Sequence, residues 1–247
     1  MDRAESQATF VLLHSPLTCF EVWLPVASCL REVGWRVQVP VADDEAQESN
    51  IPFWQRYVES ATRDIGSGND PRWIVAGHSG AGPLLPSIAE RIGGSILLIY
   101  VDAGLPHPGR SRIDDIAAAI PALAHRLNRH FEDGGLFPDW THEDLIEVIP
   151  DSRMRRGLIS HLRPRGRDFF TEVMPEQSDW ERWPSAYLRL SDGYEGAAAA
   201  AEAKGWPTVR LQAGHFHMLV DPAAVAGSLI GLANSFHLPG PEGAPAG

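Results

Sequence analysis

A short apolar run in the first third of the chain ends at a serine that is surrounded by glycines. The run covers residues 73–76, and its length and composition indicate a buried strand. Ser79 follows between Gly77, Gly80 and Gly82, and an apolar helical pattern comes next. A serine on so tight a turn needs small neighbours, because larger side chains would collide with the strand and the helix. The turn places the hydroxyl at a helix N-terminus, where free amides can stabilise an oxyanion.

The composition restricts the partners that this chain can bind. Its 247 residues suit one large α/β domain, and a hydrophobic content of 44% can fill a substantial core. The net charge of -11 argues against nucleic acid or an anionic membrane surface as a partner, because both attract clustered Lys and Arg. No segment approaches the length of a membrane span, and no apolar stretch resembles a secretory signal. Two cysteines, Cys19 and Cys29, indicate free thiols rather than a disulfide framework. We therefore expect a cytoplasmic protein with neither nucleic acid nor a membrane as its partner.

Apolar runs alternate with helical patterns along most of the sequence. This alternation predicts a doubly wound, mostly parallel sheet of about six strands in an α/β fold. The run at 95–101 is the most continuously apolar, which is typical of the middle of a parallel sheet. The strands are expected at residues 8–14, 35–39, 72–76, 95–101, 186–190 and 207–211.

One long segment between two predicted strands contains only helical patterns. Pro121 interrupts the first of them and should divide it, a second surrounds Leu145, and a third contains Leu158. About 80 residues are too many for a loop, so we expect a helical cap. The predicted organisation is an α/β core at 8–103 and 185–237, a cap at 104–184 and a mobile tail at 238–247.

The turn at Ser79 resembles the nucleophile elbow of the α/β-hydrolases. The motif of that superfamily is Gly-x-Ser-x-Gly, and this chain departs from it only at Ala81. A second resemblance lies at Gly214 and His215, where a Gly-His turn follows the last strand and precedes the last helix. The resemblance implies the α/β-hydrolase fold with a helical cap, with Ser79 as the nucleophile and His215 as its base.

Two aspartates compete for the role of the acid that orients the histidine. Asp102 ends the sixth strand of the superfamily pattern, the position used by a subset of the fold that includes haloalkane dehalogenases. Asp192 follows the seventh strand, which is the more frequent position. We favour Asp102, because Asp192 and Gly193 also form an ordinary turn pair. Asp192 remains the alternative.

The loop after the first strand departs from the superfamily at the oxyanion hole. The resemblance implies that one donor is the amide of Gly80, and that the second comes from the loop, at the position of Pro16. Proline has no N–H, so either Leu17 supplies the second amide or the hole is deficient. We also expect a substrate pocket lined by His14, His78 and His217.

Three functions follow from these residues. The first is a serine hydrolase that cleaves a small or medium carboxylic ester, lactone or thioester through an acyl-enzyme on Ser79. The second is a cofactor-free lyase, isomerase or cyclase in which Ser79 and His215 transfer protons, which a weakened oxyanion hole would suit. The third is a ligand-binding protein of hydrolase ancestry. No dinucleotide or phosphate motif implies a cofactor, and the His215–His217 pair lacks the neighbours that would indicate a metal.

Overall fold

A single parallel sheet organises the chain. The computed structural model describes residues 7–43, 50–65, 72–177, 179–238 and 240. Its six strands run in the order β2-β1-β3-β4-β5-β6, and every pairing between neighbours is parallel. The strands are β1 (Thr9–Leu13), β2 (Arg36–Gln38), β3 (Arg72–His78), β4 (Ser95–Val101), β5 (Ser185–Arg189) and β6 (Thr208–Arg210). The predicted α/β class is therefore confirmed, and β4 lies in the middle of the sheet, as its apolar sequence predicts.

Helices cover both faces of this sheet because strand side chains alternate in direction. The helices are α1 (Leu24–Glu32), α2 (Phe53–Arg63), α3 (Leu85–Ile92), α4 (Arg112–Ala119), α5 (Pro121–Glu132), α6 (Ser152–Ser160), α7 (Arg167–Thr171), α8 (Glu195–Ala203), α9 (His217–Val220) and α10 (Pro222–Asn234). Phe10 and Ile74 pack on one face with α1 and α10, whereas Val11 and Val75 pack on the other with α2, α3 and α8. Short 3-10 helices at Phe20–Trp23, Ser79–Leu84, Trp180–Arg182 and Asp192–Tyr194 complete the described elements.

Four helices, α4 to α7, lie between β4 and β5, within the segment where a cap is predicted. Pro121 divides the first helical pattern, so that α4 ends at Ala119 and α5 begins at the proline. A separate apolar cluster holds α4, α5 and α7 together, formed by Ile113, Ala124, Leu127, Phe131, Phe169 and Phe170, whereas Leu158 of α6 packs in the cluster of α1 and α10. The division into core and cap at 104–184 stays a prediction. Most of the predicted mobile tail, at 239 and 241–247, lies outside the described residues.

The prediction of a helix around Leu145 is wrong. Residues 142–148 form successive turns instead of a helix. The Asp144 carboxylate accepts hydrogen bonds from the amide and the hydroxyl of Thr141, each at 2.8 Å, which closes a local turn. Pro150 follows two residues after the segment and removes a donor that a continued helix would need. In the part of the chain that the structure describes, no helix is both long and apolar enough to cross a membrane.

Candidate active site

The turn that carries Ser79 has a strained backbone, as the predicted elbow requires. Ser79 follows β3 directly with a φ of 54°, a left-handed conformation that residues other than glycine rarely adopt. It begins the 3-10 helix that leads into α3. A Cβ on Gly77 would lie 2.7 Å from Leu85 Cδ2, and one on Gly82 would lie 2.7 Å from the Ala103 Cβ. The two glycines are therefore needed for close packing around the turn, and the strain is stored at Ser79 itself.

The departure from the motif at Ala81 is accommodated by packing. Ala81 is fully buried and belongs to the apolar cluster between the sheet and the helices α2, α3 and α8. Its methyl group lies in apolar surroundings. The position that cannot hold a side chain is Gly82, where a Cβ would collide with the carbonyl oxygen of Gly104. The substitution in the motif therefore leaves the turn intact.

His215 lies at the carboxyl edge of the sheet and is hydrogen-bonded to Asp102. Its Nδ1 is 2.7 Å from Oδ2 of the aspartate, whose side chain is fully buried. Because a carboxylate can only accept, Nδ1 carries the proton and Nε2 is left as the basic nitrogen. The imidazole is 21% exposed and lies between the rings of Tyr194 and His78, with centroid distances of 5.2 and 4.4 Å. This arrangement fixes both the tautomer and the orientation of the imidazole.

The Asp102 carboxylate is held by four hydrogen bonds. Oδ1 accepts from the amides of Leu190 and Ser191 at 2.8 and 2.9 Å, and Oδ2 accepts from Ser191 Oγ at 2.6 Å and from His215. Burial by itself would raise the pKa of this carboxyl. The hydrogen bond and the charge of His215, together with the two hydrogen bonds from Ser191, instead lower the pKa below its ordinary value. Asp102 also has a φ of 44°, so the second candidate residue is strained like Ser79.

Asp192, the alternative acid, points away from this arrangement. Its side chain is 93% exposed, and its Oδ1 lies 3.0 Å from Nη1 of Arg189. It begins the short 3-10 helix after β5, in agreement with the turn interpretation of its sequence. The structure therefore brings Asp102, and not Asp192, to His215.

Tyr194 is a site residue that the sequence analysis missed. Its hydroxyl lies 3.3 Å from Ser79 Oγ, and its ring stacks on His215 with an interplanar angle of 6°. Burial raises the pKa of this phenol to about 12, so it stays protonated and can donate a hydrogen bond. In the described structure no hydrogen bond joins Ser79 to His215. Only its position two residues after Asp192 could have drawn attention to Tyr194.

Two of the three histidines expected in the pocket are structural. His14 is fully buried, with Nδ1 2.8 Å from the Ser15 carbonyl oxygen and Nε2 3.3 Å from the Ala42 nitrogen. His78 is also fully buried, and its Nε2 donates to the carbonyl oxygen of His215 at 3.0 Å. Burial lowers the pKa of both rings, that of His14 to about 4, and keeps them neutral. The expectation that they line a pocket is wrong, because neither has exposed surface.

The amides of the two predicted oxyanion donors, Gly80 and Leu17, have different environments. Gly80 lies in the first turn of its 3-10 helix, where an N–H has no partner within the helix. The amide of Leu17 is directed back into its own loop and donates to Ser15 Oγ at 3.3 Å. The predicted role of Leu17 is therefore not supported, because its N–H is already engaged.

A cavity of about 610 Å³ opens beside His215. Ten of its twelve lining residues come from the segment between β4 and β5, and the other two are His215 and Phe216. Its walls combine aromatic and aliphatic side chains with polar and charged ones. The ten residues from this segment are Arg126, Leu127, His130, Phe137, Asp139, Trp140, Thr141, Asp144, Leu145 and Val148. His217, at the start of α9, is half-buried and does not line this cavity.

One group of described residues has the donor types and the proximity of a metal site. Possible ligand atoms of Cys19, Glu21 and His161 lie within 4.8 Å of one another. Burial, and then a hydrogen bond to Glu21, raises the pKa of the Cys19 thiol to about 12. A metal would have to displace that proton, because only a thiolate binds the ion. Both cysteines are free, as predicted.

Comparison with known proteins identifies the fold. No family model and no curated protein sequence matches the chain. Among solved structures, an extracellular α/β-hydrolase from a Paenibacillus species aligns with a TM-score of 0.72 and 18% identity, over 90% of this chain and 97% of that one. That protein is described as structurally and functionally homologous to tobacco salicylic acid binding protein 2.

Two further structures give the same result. A pyrethroid hydrolase aligns with a TM-score of 0.70 and 19% identity, over 94% of this chain and 100% of that one. Tomato methylketone synthase I, in complex with 2-tridecanone, aligns with a TM-score of 0.68 and 16% identity, over 94% and 99% of the two chains. The chain therefore has the α/β-hydrolase fold, as the resemblance at Ser79 and His215 implies.

Proposed function

We propose that the chain is a serine hydrolase that cleaves a small or medium carboxylic ester, lactone or thioester. Ser79 is the nucleophile, His215 the general base and Asp102 the acid that orients it. The observation that carries this proposal is the 2.7 Å hydrogen bond between His215 Nδ1 and a buried Asp102, at the same sheet edge as the strained Ser79. Similarity to proteins named as hydrolases supports the reaction class.

The proposed reaction begins with the formation of a hydrogen bond from Ser79 to His215. In the resting site Ser79 Oγ lies 3.3 Å from the Tyr194 hydroxyl. If Tyr194 donates in that contact, the serine hydrogen is free to point to Nε2 of His215. Hydrogen bonds of this kind commonly tighten only when substrate is bound. The stacked ring of Tyr194 and the carbonyl contact from His78 keep the imidazole in place during this step. Nε2 accepts the serine proton and later delivers it to the leaving group.

The cavity beside His215 supports a substrate that contains an apolar group. Phe137 and Trp140 form part of its wall, and their rings pack edge to face at 5.6 Å. Of the other aromatic residues of the chain, Trp23 and Phe169 are buried in apolar clusters. The cavity is large enough for a ligand of small or medium size.

The experiment that tests the hydrolase proposal is covalent labelling of Ser79. The wild type and the Ser79→Ala variant are incubated with a fluorophosphonate and measured as intact proteins by mass spectrometry. We expect one stoichiometric adduct on the wild type and none on the variant, with ester turnover reduced on the order of 10³-fold or more. Ser28→Ala is the control, because Ser28 is exposed on α1. A labelled variant, or a folded wild type that forms no adduct, would contradict the proposal.

A second candidate function is a lyase, isomerase or cyclase step that uses the same Ser79 and His215. The observation that favours it is the loop after β1, where Pro16 has no N–H and the Leu17 amide is engaged. A reaction without a tetrahedral oxyanion would not need a second backbone donor. Release of benzaldehyde from mandelonitrile, dependent on both residues, would support this candidate over hydrolysis.

A further inference from the structure

The hydroxyl of Ser15 lies beside Gly80, the first donor of the proposed oxyanion hole. A Cβ built on Gly80 would be 3.2 Å from Ser15 Oγ and 3.3 Å from Pro16 Cδ. In a helical turn both the N–H and the Cα–Cβ bond point towards the N-terminus. Ser15 Oγ is therefore in contact with Gly80 at the N-terminal end of this turn, next to the nucleophile.

The hydroxyl hydrogen of Ser15 is available at this position. Pro16 has no N–H, and Leu17 uses its amide to donate to Ser15 Oγ at 3.3 Å. A hydroxyl that accepts one hydrogen bond still has its own hydrogen to donate. Among the residues that the structure describes, no acceptor receives that hydrogen. The loop thus offers a side-chain donor where the superfamily pattern has a backbone donor.

The backbone of Ser15 is fixed more firmly than that of an ordinary loop residue. Its carbonyl oxygen accepts from His14 Nδ1 at 2.8 Å, from the Thr18 amide at 3.0 Å and from Thr18 Oγ1 at 3.3 Å. His14 is held in turn by the Ala42 amide on Nε2 and by the Tyr57 hydroxyl on its carbonyl oxygen. A donor held in place before the reaction does not have to be reorganised as charge develops. These hydrogen bonds fix the backbone that carries the Ser15 side chain, and the Leu17 amide holds its Oγ at 3.3 Å, so the hydroxyl is a preorganised donor.

We propose that the Ser15 hydroxyl and the Gly80 amide together bind the oxyanion of the tetrahedral intermediate. This inference rests on the proposed hydrolase function. Ser79 Oγ forms a bond to the carbonyl carbon while its proton moves to His215 Nε2, and the carbonyl π pair moves to the oxygen. That oxyanion accepts from Ser15 O–H and Gly80 N–H. When the carbonyl re-forms, the bond to the leaving group breaks, and the leaving group takes the proton from His215.

The test compares Ser15→Ala with the wild type on p-nitrophenyl acetate and with a trifluoromethyl ketone, which forms a stable tetrahedral adduct. We expect kcat to fall about 10²–10³-fold, as for the loss of one oxyanion donor, with KM within about threefold. The affinity for the trifluoromethyl ketone should fall by a similar factor. Ser15→Cys conserves the size of the side chain with a weaker donor and should fall by a smaller factor. Ser28→Ala is again the control, because the Ser28 side chain is exposed.

Two results would overturn the proposal. One is a Ser15→Ala variant whose kcat and ketone affinity both stay within about threefold of the wild type. The other is a fall in kcat without a fall in ketone affinity, which would identify a structural effect on the loop. Fluorophosphonate labelling of the wild type separates these results from failure of the hydrolase function. If Ser79 is labelled while Ser15→Ala behaves like the wild type, the function stands and the donor assignment fails.

Discussion

The carboxyl ends of β4 and β5 each carry an aspartate, and the two side chains have opposite environments. Asp102 follows β4, is fully buried and accepts four hydrogen bonds. Asp192 follows β5, is 93% exposed and has an ion pair with Arg189. Both are acidic residues at the end of a strand, so the residue type and the position do not distinguish them. They differ in the number of hydrogen-bond donors that surround each carboxylate.

The donors at Asp102 come from the end of the neighbouring strand. Leu190 and Ser191 follow β5 immediately, and their amides turn towards the β4 end. Neighbouring parallel strands bring their carboxyl ends to one edge, so one strand end supplies the acceptor and the other supplies the donors. The difference teaches that β5 contributes to the proposed site through its backbone and Ser191, although its own carboxylate does not reach His215. Four variants or conditions test this distinction.

The largest effect is expected from Asp102→Asn. The amide nitrogen would face Nδ1 of His215 and favour the tautomer that carries its proton on Nε2, which can no longer act as a base. We expect kcat for the hydrolysis of an ester substrate to fall about 10³–10⁴-fold. Steady-state kinetics on purified variants measures this, with circular dichroism to show that the fold is retained. A loss of tenfold or less would remove Asp102 from the proposed site.

Acid should reduce the stability advantage of the wild type over Asp102→Asn. The pKa of Asp102 in the folded chain is below its ordinary value of 3.8, so the folded state favours the charged carboxylate more than the unfolded state does. That contribution is fully present above the unfolded pKa and is lost as pH falls through the folded pKa. Urea unfolding at neutral pH and below pH 4 should therefore show the difference between the two proteins shrinking. A difference that grows in acid would mean that the pKa is raised.

Ser191→Ala should have an intermediate effect. It removes the 2.6 Å hydrogen bond to Asp102 Oδ2 but leaves both backbone donors and His215. A hydrogen bond to a charged group contributes about 1.5–3 kcal/mol, and we expect kcat to fall about tenfold. Kinetics beside those of the Asp102→Asn variant measures the ratio. If Ser191→Ala lowered kcat as much as Asp102→Asn does, the Ser191 hydroxyl alone would account for the effect of the Asp102 carboxylate. That result would contradict the interpretation that four hydrogen bonds together hold this carboxylate.

The smallest effect is expected from Asp192→Asn. The Asp192 carboxylate is 93% exposed, and its buried partner Arg189 keeps a second carboxylate, that of Glu195 at 3.0 Å. We therefore expect the loss of this pair to cost about 0–1 kcal/mol, and none of the hydrogen bonds described for Asp192 involves His215. We expect kcat within about twofold of the wild type and an unfolding free energy within about 0.5 kcal/mol. The same ester assay and urea unfolding provide the measurement. A large fall in kcat, with Asp102→Asn nearly unchanged, would reverse the assignment of the two aspartates.

The sequence predicted the elements better than it predicted the contacts between them. The position of β4 was predicted to the residue, and Pro121 divides two helices as expected. Around Leu145 the apolar pattern suggested a helix, but side-chain hydrogen bonds at Asp144 close turns instead. Periodicity registers which positions are apolar, and it does not register where a short polar side chain will bind the backbone.

The site shows the same limit. His14 and His78 were expected in the pocket, yet both are buried and bonded to backbone. Leu17 was expected to donate to an oxyanion, but its amide binds Ser15. Tyr194 was missed, because nothing in its local sequence marks a tyrosine that reaches a serine 115 residues away. Each of these outcomes depends on which atoms a loop conformation brings together.

The sequence by itself determined the α/β class, the strand-turn-helix at Ser79 and the candidate set of Ser79, His215 and two aspartates. It could do so because alternation of apolar runs, glycine spacing and proline positions act over a few residues. Only the tertiary structure decided that Asp102 pairs with His215, that Tyr194 contacts the serine and that Ser15 lies beside Gly80. These are contacts between strand ends that the parallel sheet gathers at one edge, so no local pattern encodes them.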